Sequence, residues 1–169
     1  LVYPSVSMII PACNEEKRIE AKIANTIALR YPVEHLQVLF VSDGSTDRTV
    51  ELIRKQASGS ITLVELPVRG GKAAALNAGL TQAKHDIVVF SDASIELEPD
   101  ALRHIVQGFR DPAIGCISGE DKIAESGGEA WYGRYELRIR RLESKVHSIV
   151  GASGSFYAQR RVLCAPFTE

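Results

Sequence analysis

A chain of 169 residues, 45% hydrophobic and 24% charged, has the size and composition of one globular domain that buries a single core without disulfide or metal staples. Lysine and arginine (20) nearly balance aspartate and glutamate (21), leaving a formal net charge of -1 with the two signs interleaved. This excludes a nucleic-acid partner held by wholesale phosphate neutralisation.

The three cysteines and four histidines are scattered at no spacing that suits a zinc site or a disulfide framework, which points to a reducing compartment. No apolar run nears the roughly 20 residues of a membrane span, and the first residues lack the basic-then-apolar pattern of a signal peptide.

Apolar runs alternate with helical patterns almost from end to end, which predicts an α/β fold of βαβ crossovers around a mainly parallel sheet. Residues 6–10 read as the first strand and are followed by Pro11-Ala12-Cys13-Asn14-Glu15. In the next helix Ile19, Ile23 and Ile27 form the predicted apolar stripe, with Glu16, Lys17, Glu20 and Lys22 on the other faces, and Tyr31-Pro32 ends it. Residues 36–41 form the second predicted strand, leading to Ser42-Asp43-Gly44-Ser45, with Ser45 as the expected cap of a helix over 46–57. A third strand over 61–66 precedes Gly70-Gly71 and an alanine-rich helix over 72–83.

Residues 86–90 make the fourth strand, which runs into Ser91-Asp92-Ala93-Ser94. Pro99 and Asp100 suit the first turn of a helix to about residue 109, and 114–118 reads as another strand. Beyond it, 129–145 has the pattern of one long helix rich in arginine, and 156–158 that of a short strand.

Three polar loops thus follow three strands at the carboxyl edge of one sheet, where open α/β sheets bind ligands. Carboxylates converging there repel one another unless a cation or a hydrogen-bond donor joins them. Two familiar phosphate-binding motifs are excluded. Gly70-Gly71-Lys72 has Leu66 where a P-loop needs its first glycine and Ala73 where it needs Ser or Thr, and no G-x-G-x-x-G follows the first strand. A hydride-transfer enzyme is disfavoured accordingly.

The ordered set of Ile10-Pro11-Ala12-Cys13-Asn14-Glu15-Glu16, Ser42-Asp43-Gly44-Ser45-Thr46-Asp47, Arg69-Gly70-Gly71-Lys72 with Asn77-Ala78-Gly79, and Ser91-Asp92-Ala93-Ser94 resembles the nucleotide-binding half of family 2 glycosyltransferases, which have the GT-A fold. Tyr135-Glu136, Arg138 and the stretch 151–161 are similar to acceptor-side segments of membrane-associated bacterial members. The resemblance implies a single catalytic domain over 1–169 that is cut short at its C-terminus. Residues 1–118 would be its nucleotide-binding half and 119–169 a partial acceptor-side region.

It further implies a nucleotide-sugar donor, UDP-linked, and transfer to an acceptor hydroxyl with inversion. Pro11, Asn14, Glu15, Asp43, Gly44, Lys72, Asp92 and Ala93 would meet the nucleotide, with Asp43 receiving the uracil imide N–H. Asp92 and Ser94 would hold Mg2+ or Mn2+, and Glu120, Asp121, Tyr135, Glu136, Ser153 and Gly154 would lie on the acceptor side.

Two positions depart from the family pattern. Ser42 stands where many relatives carry a second aspartate, and Ser94 replaces the last acid of the D-x-D motif, so weak metal affinity without nucleotide is expected. The general base of the family follows the small-residue loop, so it is expected beyond Glu169, with no catalytic residue inside the chain. The intact protein is expected at the cytoplasmic face of a membrane, though with no span in these residues. The alternative is a catalytically inactive nucleotide-sugar binding module.

Overall fold

The computed structural model describes residues 3–119 and 154–168. The helix expected over 129–145, and with it Glu120, Asp121, Tyr135, Glu136 and Ser153, lies outside the described residues. Six strands, β1 (Val6–Ala12), β2 (Leu36–Asp43), β3 (Ile61–Leu66), β4 (Ile87–Ser91), β5 (Cys116–Ser118) and β6 (Phe156–Arg160), form one sheet in the order β3-β2-β1-β4-β6-β5. β1 to β4 are mutually parallel, whereas β6 runs antiparallel to both β4 and β5. Among the described residues the α-helices are α1 (Ile19–Ile27), α2 (Thr49–Gln56), α3 (Gly71–Gln82) and α4 (Ala101–Gln107).

The period of two along β1 builds both halves of the core at once. Met8 and Ile10 pack with α1, α2 and α4 in one apolar cluster, while Ile9 packs with Ala75 and Leu76 of α3 in the other. Helices therefore cover both faces, and the central strands read as nearly continuous apolar runs. Pro11 is tolerated in β1 because β4 pairs only with Val6 to Ile9, so the strand has outrun that neighbour where the proline's missing N–H falls. At the opposite edge Ser7 Oγ donates to Gln37 Oε1 and accepts from Lys84 N and His85 N, closing the turn into β4.

Two local expectations are corrected. Ile27 is 62% exposed, and the buried stripe of α1 is Ile19, Lys22, Ile23 and Thr26. Eight residues at about 100° each leave Ile27 roughly 80° away from Ile19. Lys22 is the larger surprise, since it lies in the core stripe and not on a polar face. The second correction concerns α2, which begins at Thr49. Asp47, and not Ser45, serves its first turn, with Oδ1 accepting from Thr49 N at 2.9 Å.

The sheet order reverses direction between β1 and β4. Chain connections run from β1 through β2 to β3 on one side and resume with β4 on the other, so the loops after β1 and β4 diverge and open a crevice at the carboxyl edge.

Candidate functional site

The loops after β1 and β2 are tied to each other before they meet any ligand. Asn14 takes a left-handed backbone, φ 55°, which asparagine tolerates better than most residues. From there its Oδ1 accepts from Thr46 N at 2.8 Å, and its own N–H donates to Ser45 Oγ at 3.2 Å. Glu15 N donates to Thr49 Oγ1 at 2.8 Å and Glu16 N to Asp47 Oδ2 at 3.0 Å. Ser45 thereby joins the two loops instead of capping a helix, and Ser42 Oγ donates to it at 2.9 Å.

Asp43 ends β2 and is 4% exposed. Its two oxygens accept from the backbone N–H groups of Gly70 at 2.7 Å and Gly71 at 2.9 Å, at the start of α3. A carboxylate at a helix N-terminus is favoured by the helix dipole, and each oxygen retains a further lone pair for another donor. Gly44, with φ +58°, makes this approach possible: a Cβ there would lie 2.4 Å from Arg69 N and 2.6 Å from Val68 C. Its contribution is to let the 68–71 backbone come down onto the end of β2.

Asp92 follows β4. Its Oδ1 accepts from Lys72 Nζ at 2.6 Å, and the same ammonium reaches the Gly154 carbonyl at 3.2 Å. Asp92 N donates to Ser155 O at 2.9 Å, so the chain returning toward β6 braces the loop. The pair is half open to solvent, Lys72 at 52% and Asp92 at 29%, so it is available to an incoming ligand. Beneath the loop, Lys22 is 3% exposed.

These tips enclose a cleft of about 290 Å³. Of the residues expected at the nucleotide, Pro11, Glu15, Asp43, Lys72, Asp92 and Ala93 line it, as does Ser94. Asn14 and Gly44 do not; they shape its walls in the ways just described. Gly154, expected on the acceptor side, presents its carbonyl to Lys72. Five further lining residues, Ala12, Cys13, Arg69, Gly71 and Ala75, have no site role in the sequence reading. Arg69 had a legible signal, since it stands one residue before the Gly70-Gly71-Lys72 turn. A larger groove, about 450 Å³, lies between α4 and β5, bounded by Gly119 and Phe156, and contains none of the expected site residues.

Among the described residues no three His, Cys, Asp or Glu side chains converge in a way that could hold a metal by themselves. Asp92 and Ser94 share the cleft and supply oxygen donors only, the chemistry that Mg2+ and Mn2+ prefer. They fit an ion whose remaining ligands come from a diphosphate and water.

The model of the glycosyl transferase family 2 matches residues 7–164. Poly-beta-1,6-N-acetyl-D-glucosamine synthase of Staphylococcus aureus (strain COL) is 34% identical over 120 residues, which cover 70% of this chain and 29% of that enzyme. A mannosyltransferase from Pyrobaculum calidifontis, solved with GDP-Man and Mn2+, superposes with a TM-score of 0.82 at 32% identity, covering 96% of this chain and 46% of its own. Glucosyl-3-phosphoglycerate synthase from Mycobacterium tuberculosis, solved with Mn2+, UDP and glucosyl-3-phosphoglycerate, gives a TM-score of 0.65 at 25% identity, covering 95% and 58%. The chain thus spans under a third of the curated relative and about half of the solved ones. With a matching family model over nearly its whole length and the GT-A sheet of its neighbours, this chain belongs to glycosyl transferase family 2.

Proposed function

We propose that this domain binds a UDP-sugar and, in the full-length protein, transfers the sugar to an acceptor hydroxyl with inversion at the anomeric carbon. The observation that carries the reading is the convergence of Asp43, Lys72 and Asp92 on one cleft at the sheet's switch point. Asp43, held by two backbone donors, offers a fixed acceptor for the imide N–H of the base. The Asn14-Glu15 loop, locked onto the loop after β2, bounds the nucleoside. Arg69 and Lys72 bring positive charge to the diphosphate side, with Lys72 sharing its ammonium between Asp92 and the phosphates.

Asp92 and Ser94 would hold a divalent cation, and the Mn2+ bound by two structural relatives supports this. When bound, the cation neutralises charge developing on the departing diphosphate. In the reaction the acceptor oxygen attacks the anomeric carbon, the bond to the diphosphate breaks, and the acceptor proton passes to a carboxylate outside the described residues. The process proposed is polysaccharide or glycoconjugate synthesis, in keeping with the name of the Staphylococcus aureus relative; the cytoplasmic face of a membrane is the proposed place for it. Among the described residues no helix is long and apolar enough to cross a membrane.

Calorimetric titration with UDP, with and without Mn2+, tests the donor site, with GDP run in parallel because one neighbour carries GDP-Man. UDP binding that needs Mn2+ and disappears in both Asp43→Ala and Asp92→Ala is expected, with no saturable heat from Mn2+ alone. Tighter binding of GDP would reassign the base, and UDP binding unchanged in Asp92→Ala would refute the site. Ser94, a hydroxyl where a carboxylate is usual, favours one second reading, a binding module without catalysis. Sugar transfer by the full-length protein, abolished by Asp92→Ala, decides against it.

A further inference from the structure

The buried amine of Lys22 has no part in the donor contacts just described, yet it sits under the loop that carries them. It comes from α1, the helix that follows β1, and it is 3% exposed. Its Nζ donates to Ser91 Oγ at 2.8 Å and to the Ile95 carbonyl at 2.8 Å, the two residues that flank Asp92-Ala93-Ser94. One ammonium therefore joins both ends of the acidic loop.

The next residue on the same face continues the pattern. Asn25 donates from Nδ2 to the Leu97 carbonyl at 2.8 Å and accepts from Leu97 N at 3.0 Å, and Arg30 N donates to the Pro99 carbonyl at 2.8 Å. α1 and the turn that follows it thus act as a splint along residues 91–99, with Lys22 at the end nearest the cleft.

A lysine so placed has a cost that core packing alone does not explain. A buried ammonium loses its hydration, and an apolar residue of the same length would fill the space without that loss. Burial lowers its pKa to about 8, with the charge of Asp92 pulling the other way. The neighbouring core position, Ile23, shows what α1 places in this layer where only packing is required.

We propose that Lys22 is a positioning residue for donor binding: by bridging Ser91 Oγ and the Ile95 carbonyl, it fixes the backbone from which Asp92 and Ser94 face the cleft. The proposal rests on the nucleotide-donor reading for its consequence, but not for the hold on the loop. Lys22 does not line the cleft. It acts through the loop, as partners behind metal ligands commonly do.

Hydrogen exchange by mass spectrometry and UDP titration in the presence of Mn2+, both on the full-length protein, test this in Lys22→Met, with Ile23→Val as the packing control. Lys22→Met should raise exchange at the amides of Asp92, Ile95 and Leu97 while β4 stays as protected as in Ile23→Val. It should also weaken UDP binding by about 10-fold. Exchange that is unchanged over 92–97, or that rises evenly through β1 and β4, overturns the proposal.

Ser91→Ala keeps the lysine and removes one of its two acceptors, so it serves if Lys22→Met does not fold. A smaller local rise is expected there, and none overturns the assignment. If the wild-type protein binds no UDP with Mn2+, the donor reading fails, while the exchange comparison still decides whether Lys22 holds the loop.

Discussion

Tyr31 illustrates how one polar atom couples the fold to pH. Its hydroxyl donates to the Pro4 carbonyl and its ring meets Tyr3 edge-on at 5.4 Å between centroids. Burial, with the nearby Tyr3 adding to it, pushes the phenol up to about 12. The folded state thus favours the neutral phenol. Its contribution is complete below the unfolded value of about 10 and is lost as pH rises from there through about 12. Tyr31→Phe should remove this part of the alkaline decline, seen as a flatter dependence of urea midpoint on pH between about 10 and 12 than the wild type shows.

The same scale shows what single residues conceal. Asp43 and Asp92 were legible as site residues because each follows an apolar strand in a polar loop. Lys22 was not, because a lysine beside an apolar stripe reads as surface until its partners, 69 and 73 residues away, are known.

Among the elements, α3 links the core to the cleft, since Lys72 lies in its first turn and Gly79 lies two turns further on. Gly79 sits directly on β1: a Cβ there would meet Ile9 Cγ2 at 2.5 Å, and Ile9 is fully buried. Gly79→Ala therefore sets an overpacking cost of about 1–3 kcal/mol against a helix-propensity gain of about 1 kcal/mol. A net loss of about 1 kcal/mol in urea unfolding is expected, where a solvent-facing helical glycine would gain by the same change. The element types themselves were readable from period and punctuation. The start of α2 moved because Ser45 found a distant partner in Asn14, which left Asp47 to serve the first turn through Thr49.

At the scale of the whole molecule, residues near the C-terminal end of the chain complete both the sheet and the second core cluster. β6 enters between β4 and β5, and Phe167 packs edge-on against Phe90, which stacks on Tyr157 at 4.6 Å. Asn77 of α3 clamps this segment by donating to the Phe167 carbonyl at 3.0 Å and accepting from Phe167 N at 2.9 Å. Asn77→Ala leaves both groups without these partners, with an expected loss of about 1–2 kcal/mol. Chymotryptic cleavage at Phe167 should become faster while the far-ultraviolet circular dichroism is unchanged. Unaltered cleavage would show that the ring contact with Phe90 holds the segment without the clamp.

The sequence by itself determined the α/β class, the order of the elements and the polar loops that follow β1, β2 and β4, because period, capping and turn chemistry are encoded within a few residues. It also carried the ordered motifs that match the family over 7–164. Only the tertiary structure decided that β6 runs backwards between β4 and β5, that Asn14 and Gly44 shape the cleft without lining it, and that Lys22 is buried beneath Asp92. Strand neighbours, close backbone approaches and the partners of a buried charge are set by residues tens of positions apart, and no local pattern records them.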